Sequence, residues 1–344
     1  MNSKEGYIFW RLAYFLIADH GYRMIQLFEN QRELWLEKFE NKQAPIIRML
    51  LHDLDWSNTM QRDIEFTAAN GERVRGQIGR HELNVINIYV SQHPPVDDYE
   101  FRIDKPYVYP DSNKTTVRSI ILAKDIYDSG FSQMSNLLQK EVHFPIKEDV
   151  LETEVETLKK TALGHAIQKM KTEKAILSHG KPFYTYLFIF IQIAMYIWLE
   201  LHGGSTNTST LLKYGAKFNP YIHNGEWWRF ITPIFLHIGF GHLAMNSISL
   251  YFLGTAVERI FGNLRFLFIY LFAGAAGFIG SFLFSDNISA GASGAIFGCA
   301  GALLYFGLSY PKLFSRTMGP AFIIILLLNL FFGFSNQGID NAGQ

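Results

Sequence analysis

The strongest constraint on this chain is the near absence of charge after Lys181. Only seven of the 31 Lys and Arg residues and five of the 31 Asp and Glu residues lie in the segment 182–344. Apolar stretches of about 20 residues recur there, which is the length that an α-helix needs to cross a bilayer. We predict five spans, and the C-terminal half is therefore expected to be a multi-pass α-helical membrane bundle. The spans are placed at 183–201, 230–254, 266–284, 290–308 and 320–334.

The N-terminal half, by contrast, has the charge content of a soluble domain of ordinary size. Segments rich in β-branched and aromatic residues predict strands, whereas apolar residues at helical spacing predict helices, and together they indicate an α+β domain. We place this domain at 1–178, with a C-terminal linker helix, and the membrane domain at 179–344. The strands are expected at 22–28, 46–52, 85–91 and 117–123, and the helices near 57–66, 131–142 and 147–177.

The distribution of basic residues predicts the orientation in the membrane. Lysines are dense before the first span, and pairs of basic residues follow the second and fourth spans, as expected for cytoplasmic segments. The lipid bilayer is thus an expected partner, the N-terminus is cytoplasmic, and the protein is an integral multi-pass protein of the cell membrane. A net charge of zero argues against a nucleic-acid partner, and a single cysteine, Cys299, excludes an intrachain disulfide.

A serine between small residues, in Gly291-Ala292-Ser293-Gly294, opens the fourth span. The second and fourth spans both enter from the outer side, so Ser293 is expected at the same depth as His242 and Asn246. The latter two are four residues apart and share one helix face. Polar groups in hydrocarbon are costly unless they are paired or line a wet cavity, which indicates a shared site. The alternative is that His237, His242 and Asn246 only form hydrogen bonds between helices.

The glycines near this serine have two interpretations. Gly294 and Gly298 are spaced i, i+4, and such rows of small residues let helices pack closely. Packing does not explain a hydroxyl at the start of the helix. Free N–H groups and the helix dipole favour an anion there, such as the oxyanion of an acyl-transfer intermediate.

The motifs of the second half resemble those of the rhomboid intramembrane serine proteases, in the same order along the chain. The leading cytoplasmic domain resembles the arrangement of the GluP-type rhomboids. The motifs are Trp228-Arg229 in the first loop, His237 and His242-Leu-Ala-Met-Asn246 in the second span, the segment 254–262 after it, and Gly291-Ala292-Ser293-Gly294 in the fourth span.

The resemblance implies a role for each matching residue. Ser293 would be the nucleophile that attacks a peptide bond of a transmembrane substrate protein near the outer membrane face. The Ser293 N–H, His242 and the Asn246 amide would form the oxyanion hole. Trp228 and Arg229 would anchor the first loop, and Glu258 would stabilise the turn after the second span, roles that are scaffolding rather than catalysis. No cofactor is implied.

The sequence departs from the family pattern at its end. The family's general base is a histidine in the sixth span, a little beyond a segment like 338–343, whereas this sequence stops at Gln344 and has no histidine after His242. A serine without a neighbouring base is a poor nucleophile, which puts the activity of this product in doubt. Three explanations are open: a truncated or frameshifted copy, a boundary imposed on a longer protein, or an inactive rhomboid-like protein that binds transmembrane helices of clients.

Two short clusters in the N-terminal domain combine imidazole and carboxylate groups, a ligand set that suits Mn²⁺ or Zn²⁺. They are His52-Asp53-Leu-Asp55 and His93-Pro-Pro-Val-Asp97-Asp98. A divalent cation on this domain is therefore a candidate ligand. The alternative is that the aspartates cap a helix or are solvated at a turn.

Overall fold

The computed structural model describes residues 3–147 and 149–335. The chain divides into two compact units, residues 1–171 and residues 172–344. The predicted boundary at 178 lies seven residues further along and stays a prediction. The segment 338–343, which was compared with the family's sixth span, lies outside the described residues.

The first unit contains a six-stranded mixed sheet. Its order is β1-β2-β3-β4-β6-β5; β1, β2 and β3 form an antiparallel meander, β3, β4 and β6 are mutually parallel, and β5 is antiparallel to β6. Parallel neighbours need crossover connections. The connection from β3 to β4 contains a helix, Ser57–Ile78, and the connection from β4 to β6 contains a short helix, Glu100–Ile103, and the strand β5. The strands are Arg23–Leu27, Glu33–Glu37, Ile46–Leu51, Leu83–Val90, Tyr107–Val108 and Thr115–Leu122.

Helices cover both faces of this sheet. Side chains alternate along a strand, so β4 directs Ile86, Ile88 and Val90 to one core and Val85 and Tyr89 to the other. The first core includes α1, α4 and part of α5, and the second includes α2. The helices are α1 (Ser3–Tyr14), followed by a π turn (Phe15–Asp19), α2 (Ser57–Ile78), α3 (Glu100–Ile103), α4 (Tyr127–Leu138) and α5 (Glu152–Leu177).

All four predicted strands coincide with observed ones, but β2, β5 and α1 were not predicted. The helix predicted at 57–66 continues to Ile78, past Gly71 and Gly76. At Gly71 a Cβ atom would lie 2.9 Å from Val85 Cγ2, so this glycine lets α2 approach the sheet closely. The helix ends only at Gly79, whose φ of 66° is left-handed.

The second unit is helical. After α5 it contains α6 (Tyr184–Leu201), α7 (Thr208–Lys213), α8 (Asn219–His223), α9 (Gly239–Ser249), α10 (Thr255–Phe261), α11 (Asn263–Phe284), α12 (Ser293–Ser309), α13 (Pro311–Thr317) and α14 (Gly319–Ser335). A π turn, Leu250–Gly254, joins α9 to α10 without a break. Apolar side chains of α6, α11, α12 and α14 meet in one core.

Within the described part of the chain, two helices are long and apolar enough to cross a membrane, Tyr184–Leu201 and Asn263–Phe284. A third is obtained if Pro311–Thr317 and Gly319–Phe331, which meet at 73°, are one broken span. The structure thus identifies two or three of the five predicted spans. The helix Ser293–Ser309 is apolar but shorter, and the second predicted span corresponds to α9, the π turn and α10, each of which is short by itself.

Two predicted spans begin too early. The second was expected from residue 230, but Trp227–Phe230 and Thr232–Phe235 form 3₁₀ turns and the helix starts at Gly239. Pro233 supplies no backbone donor there, and Gly239 adopts a left-handed φ of 78°. The fourth was expected from residue 290, but the helix starts at Ser293 because Ser289 forms an extended bridge to Lys217.

Candidate active site

Helix α9 presents two of the predicted site residues on one buried face. His242 and Asn246 are 7% and 3% exposed. The Asn246 Nδ2 atom donates to the His242 carbonyl at 3.0 Å, and its Oδ1 atom has no hydrogen-bond partner among the described residues. An amide nitrogen carries two N–H groups, so one donor remains for another acceptor. The two side chains are thus held one turn apart on a single face.

His237 lies beside this pair, just before α9. Its ring is fully buried, and neither nitrogen has a hydrogen-bond partner in the described part of the chain. The ring centroids of His237 and His242 are 5.3 Å apart, and the rings meet edge to face. The His237 side chain therefore forms no interhelical hydrogen bond with the described residues, which was the alternative role predicted for it.

Ser293 is the first residue of α12 and is half-buried. Its hydroxyl makes no hydrogen bond with the residues that the structure describes. The first intrahelical bond runs from the Ile296 N–H to the Ala292 carbonyl, so the N–H groups of the preceding turn have no helical acceptor. The positive end of the dipole of a 17-residue helix therefore lies at this serine.

Gly291 connects the serine segment to α9. A Cβ atom on Gly291 would lie 2.6 Å from His242 Cε1 and 2.8 Å from His242 Nε2, so only glycine fits against this imidazole. The φ of Gly291 is 143°, and its N–H donates to the Pro233 carbonyl at 2.9 Å. The residue two positions before Ser293 is therefore packed on the His242 ring.

The segment before Gly291 is held by Lys217, which sequence reasoning did not identify. Lys217 is fully buried, and its ammonium donates to the carbonyls of Ser285 at 2.5 Å and Asn287 at 3.1 Å. Its backbone pairs with Ser289 through N···O distances of 2.9 and 3.2 Å. A lysine in a half of the chain with so few charges could have been singled out from the sequence. Its carbonyl partners could not, because they are about 70 residues away.

The predicted scaffold residues make separate contacts. Arg229 is buried; its Nε donates to Glu226 at 2.6 Å and its Nη1 to the Ala216 carbonyl at 2.7 Å, whereas Trp228 is 55% exposed. Arg229 thus joins parts of the loop between α6 and α9.

Glu258 contacts the beginning of α6. It is fully buried and accepts hydrogen bonds from the backbone N–H groups of Phe183, Tyr184 and Thr185 at 2.9–3.0 Å, and from the Thr185 hydroxyl at 2.8 Å. A carboxylate at this position satisfies N–H groups that have no acceptor within the helix. Glu258 therefore caps α6, and it also accepts from the Asn263 side chain.

The small residues of α12 pack against α11. A Cβ on Gly298 would overlap Ala273, and one on Gly274 would lie 3.3 Å from the Ala295 Cβ. Gly294, next to the serine, is half-buried. Gly298 therefore allows α12 to pack closely on α11, as the packing interpretation predicts. This packing is compatible with a chemical role for the first turn of α12.

The two clusters considered for a divalent cation lie in the first unit. Among the described residues, no group of three or more His, Cys, Asp and Glu side chains is arranged to hold a metal ion. Asp97 accepts hydrogen bonds from the Ser57 N–H and Oγ, both at 2.7 Å, at the start of α2. These bonds hold the pKa of Asp97 below its usual value. Metal binding at His52, Asp53, Asp55, His93 and Asp98 stays a prediction.

Comparison with known proteins places this chain in a family. Residues 224–344 match the model of the rhomboid domain. Rhomboid protease GluP of Bacillus subtilis (strain 168) is 44% identical over 98% of the chain, and the chain spans 66% of that relative. Putative rhomboid protease YdcA of the same organism is 40% identical over 36% of the chain and 63% of its own length. RHOMBOID-like protein 9, chloroplastic, of Arabidopsis thaliana is 43% identical over 27% of the chain and 21% of its own length. From the domain match and the similarity along nearly the whole sequence, the chain belongs to the rhomboid family of intramembrane serine proteases, as a GluP-type member.

Proposed function

We propose that the chain acts as an intramembrane serine endopeptidase, in which Ser293 attacks a peptide bond of a transmembrane substrate protein near the outer membrane face. The observation that carries this proposal is the packing of Gly291 on the His242 imidazole. It joins the start of α12, where Ser293 lies, to the face of α9 that presents His242 and Asn246. No role in packing requires a hydroxyl at this junction.

The chemistry that this arrangement supports is acyl transfer. Attack of Ser293 Oγ on a carbonyl carbon forms a tetrahedral intermediate whose oxygen carries a negative charge. Three donors are proposed for that oxygen: the Ser293 N–H, a ring N–H of His242 and the second N–H of the Asn246 amide. Donors fixed before the reaction stabilise developing charge without reorganisation, and loss of one typically costs about 100-fold to 1,000-fold in kcat.

The scheme needs a general base that accepts the Ser293 proton, and the family resemblance assigns that role to a histidine of a sixth span. Residues 1–344 supply the nucleophile and the oxyanion hole, and no histidine follows His242 among them. His242 and His237 are on the side proposed to bind the oxyanion, so we assign neither of them as the base.

We further propose that five segments cross the membrane, with α6, α9–α10, α11, α12 and α14 as their helices. The continuous helix formed by α9, the π turn and α10 has 23 residues, from Gly239 to Phe261, which is enough for one crossing. The basic residues Arg259, Arg265, Lys312 and Arg316 then share the cytoplasmic side with the N-terminal unit. Ser293, His242 and Asn246 lie in the outer leaflet.

Co-expression with a tagged transmembrane reporter protein tests this function. The wild-type protein, expressed from its complete gene, and the Ser315→Ala control, which alters an exposed serine of α13, are expected to release the reporter's outer part. Ser293→Ala is expected to release none. The competing function is binding of client helices without cleavage. Equal co-purification of an intact reporter with wild-type chain and Ser293→Ala, without cleavage by either, would favour it.

A further inference from the structure

The second unit contains a cavity of about 380 Å³, at the opposite end of α12 from Ser293. Its walls come from the end of α5, the end of α10, the first turn of α11 and the last turns of α12. The residues at its apolar part include Ile176, Ile260 and Phe306, and those at its polar part include His179, Arg265 and Ser309. Among the residues that the structure describes, no Asp or Glu lines it.

Contacts between distant parts of the unit hold these walls together. Arg316 of α13 forms an ion pair with Glu173 of α5, with Nη2 and Oε2 2.6 Å apart. The Gly180 N–H donates to the Arg259 carbonyl at 2.9 Å, which ties the segment after α5 to α10. The cavity is therefore a built feature of the unit rather than a gap beside a single helix.

The charge at the cavity is unbalanced. Arg265 is exposed and makes no hydrogen bond or ion pair with the described residues. Lys174 and Lys181 are close in sequence to the cavity residues at the end of α5. Neither lysine forms an ion pair with an acidic side chain among the described residues. A guanidinium is suited to bidentate recognition of phosphate, and apolar walls next to it suit hydrocarbon.

We propose that this cavity binds an anionic phospholipid, with its phosphate on Arg265 and an acyl chain against Ile176, Ile260 and Phe306. A soluble anion would gain nothing from the apolar walls. Basic residues flank the apolar helices at the helix ends around the cavity. Such residues lie at the depth of the lipid headgroups, so the cavity is expected at that depth. The occupant is thus a lipid of the cytoplasmic leaflet, which rests on the membrane orientation proposed above and not on proteolytic activity.

Native mass spectrometry of the detergent-purified full chain, titrated with phosphatidylglycerol or phosphatidylcholine, tests the proposal. Wild-type chain is expected to bind phosphatidylglycerol at least fivefold more tightly than phosphatidylcholine. Arg265→Gln is expected to remove this preference. Arg259→Gln is the matched control, because Arg259 is an exposed arginine six residues away that does not line the cavity. An equal loss in both variants would show diffuse surface attraction and overturn the proposal.

A second variant tests the cavity without altering charge. Ala175 lines the cavity and is exposed, so Ala175→Trp fills the space while Arg265 stays in place. It is expected to weaken phosphatidylglycerol binding at least fivefold. Unchanged binding by Ala175→Trp would contradict the proposal, as would displacement of the lipid by millimolar glycerol 3-phosphate, which would indicate a site for soluble phosphate.

Discussion

Gly291 lies directly against the His242 imidazole, with space for a hydrogen atom but not for a methyl group. The contact makes the position of the Ser293 segment depend on α9. Gly291→Ala is expected to displace the imidazole and to strain a backbone with φ of 143°, at a cost of about 1–3 kcal/mol for the backbone alone. Both the Tm in detergent and the labelling of Ser293 by a fluorophosphonate should fall.

Gly301→Ala is the control for this change, because Gly301 lies in α12, the helix that follows Gly291, and a Cβ there meets no atom within 4 Å. An alanine in a helix interior is favoured over glycine by about 1 kcal/mol, so this variant should be at least as stable as wild type. Wild-type labelling and Tm in Gly291→Ala would contradict the contact.

The Lys217 ammonium is expected to position the loop that leads to Ser293. Lys217→Met removes its hydrogen bonds to the Ser285 and Asn287 carbonyls, and each hydrogen bond to a charged group contributes about 1.5–3 kcal/mol. The Ser285 carbonyl keeps a second donor, the Asn219 amide, so the lower end of that range is expected. Hydrogen exchange of the peptide covering 285–292 should rise. Lys213→Met, which alters an exposed lysine of the same loop, should leave that exchange unchanged. Equal exchange in the two variants would contradict a positioning role.

Glu258 is expected to be a structural residue. Glu258→Ala leaves three backbone N–H groups at the start of α6 without their acceptor, and each hydrogen bond to a charged group contributes about 1.5–3 kcal/mol. The Tm should fall, and the segment around Phe183 should become sensitive to protease. Arg259→Gln, an exposed change at the next position, should have little effect. Normal stability with lost activity in Glu258→Ala would instead indicate a catalytic role.

Arg48 and Asp63 are expected to stabilise the first unit as a pair. The Arg48 guanidinium is 2% exposed and donates to Asp63, Glu33, Thr67 and Asn87. Asp63→Asn removes one charge of this group, and removing one partner of a buried pair costs about 3–5 kcal/mol. Because Asp63 is partly exposed, the lower end of that range is expected. Hydrogen exchange of β3 and β4 in the full chain should rise, whereas Glu65→Gln, an exposed change on α2, should not alter it.

Much of this architecture could be predicted from local sequence, since β4 and β6 are rich in β-branched residues, β3 is apolar except for Arg48, and the apolar helices contain few charges. The parallel order of those strands could not, because pairing depends on contacts between residues 39 positions apart in β3 and β4 (85 − 46) and 32 positions apart in β4 and β6 (115 − 83). β2 was missed because its five residues begin and end with glutamate. Helix α1 was missed because Arg11 and Asp19 interrupt an apolar run that is in fact buried.

The site residues divide in the same way. The spacing of His242 and Asn246 predicts a shared face on any helix, and the structure places both side chains there. Neither the burial of Lys217 nor the contact between Gly291 and His242 follows from spacing, since each joins segments 50 to 70 residues apart through the loops of the second unit. The order of the membrane spans predicts which residues lie at the same depth. Which of those residues contact each other is determined by tertiary packing.

The most direct test of the central claim is labelling of the protein, purified in detergent from its native membrane, with a fluorophosphonate probe, followed by mass spectrometry of the modified peptide. The probe reacts with a serine hydroxyl that is activated and lies beside donors for the phosphonyl oxygen. We predict one modified residue, Ser293, with labelling lost in Ser293→Ala, reduced at least tenfold in Asn246→Ala and unchanged in Ser315→Ala, which alters an exposed serine of α13. Absence of labelling in the wild-type chain, or labelling that persists in Ser293→Ala, would contradict the account.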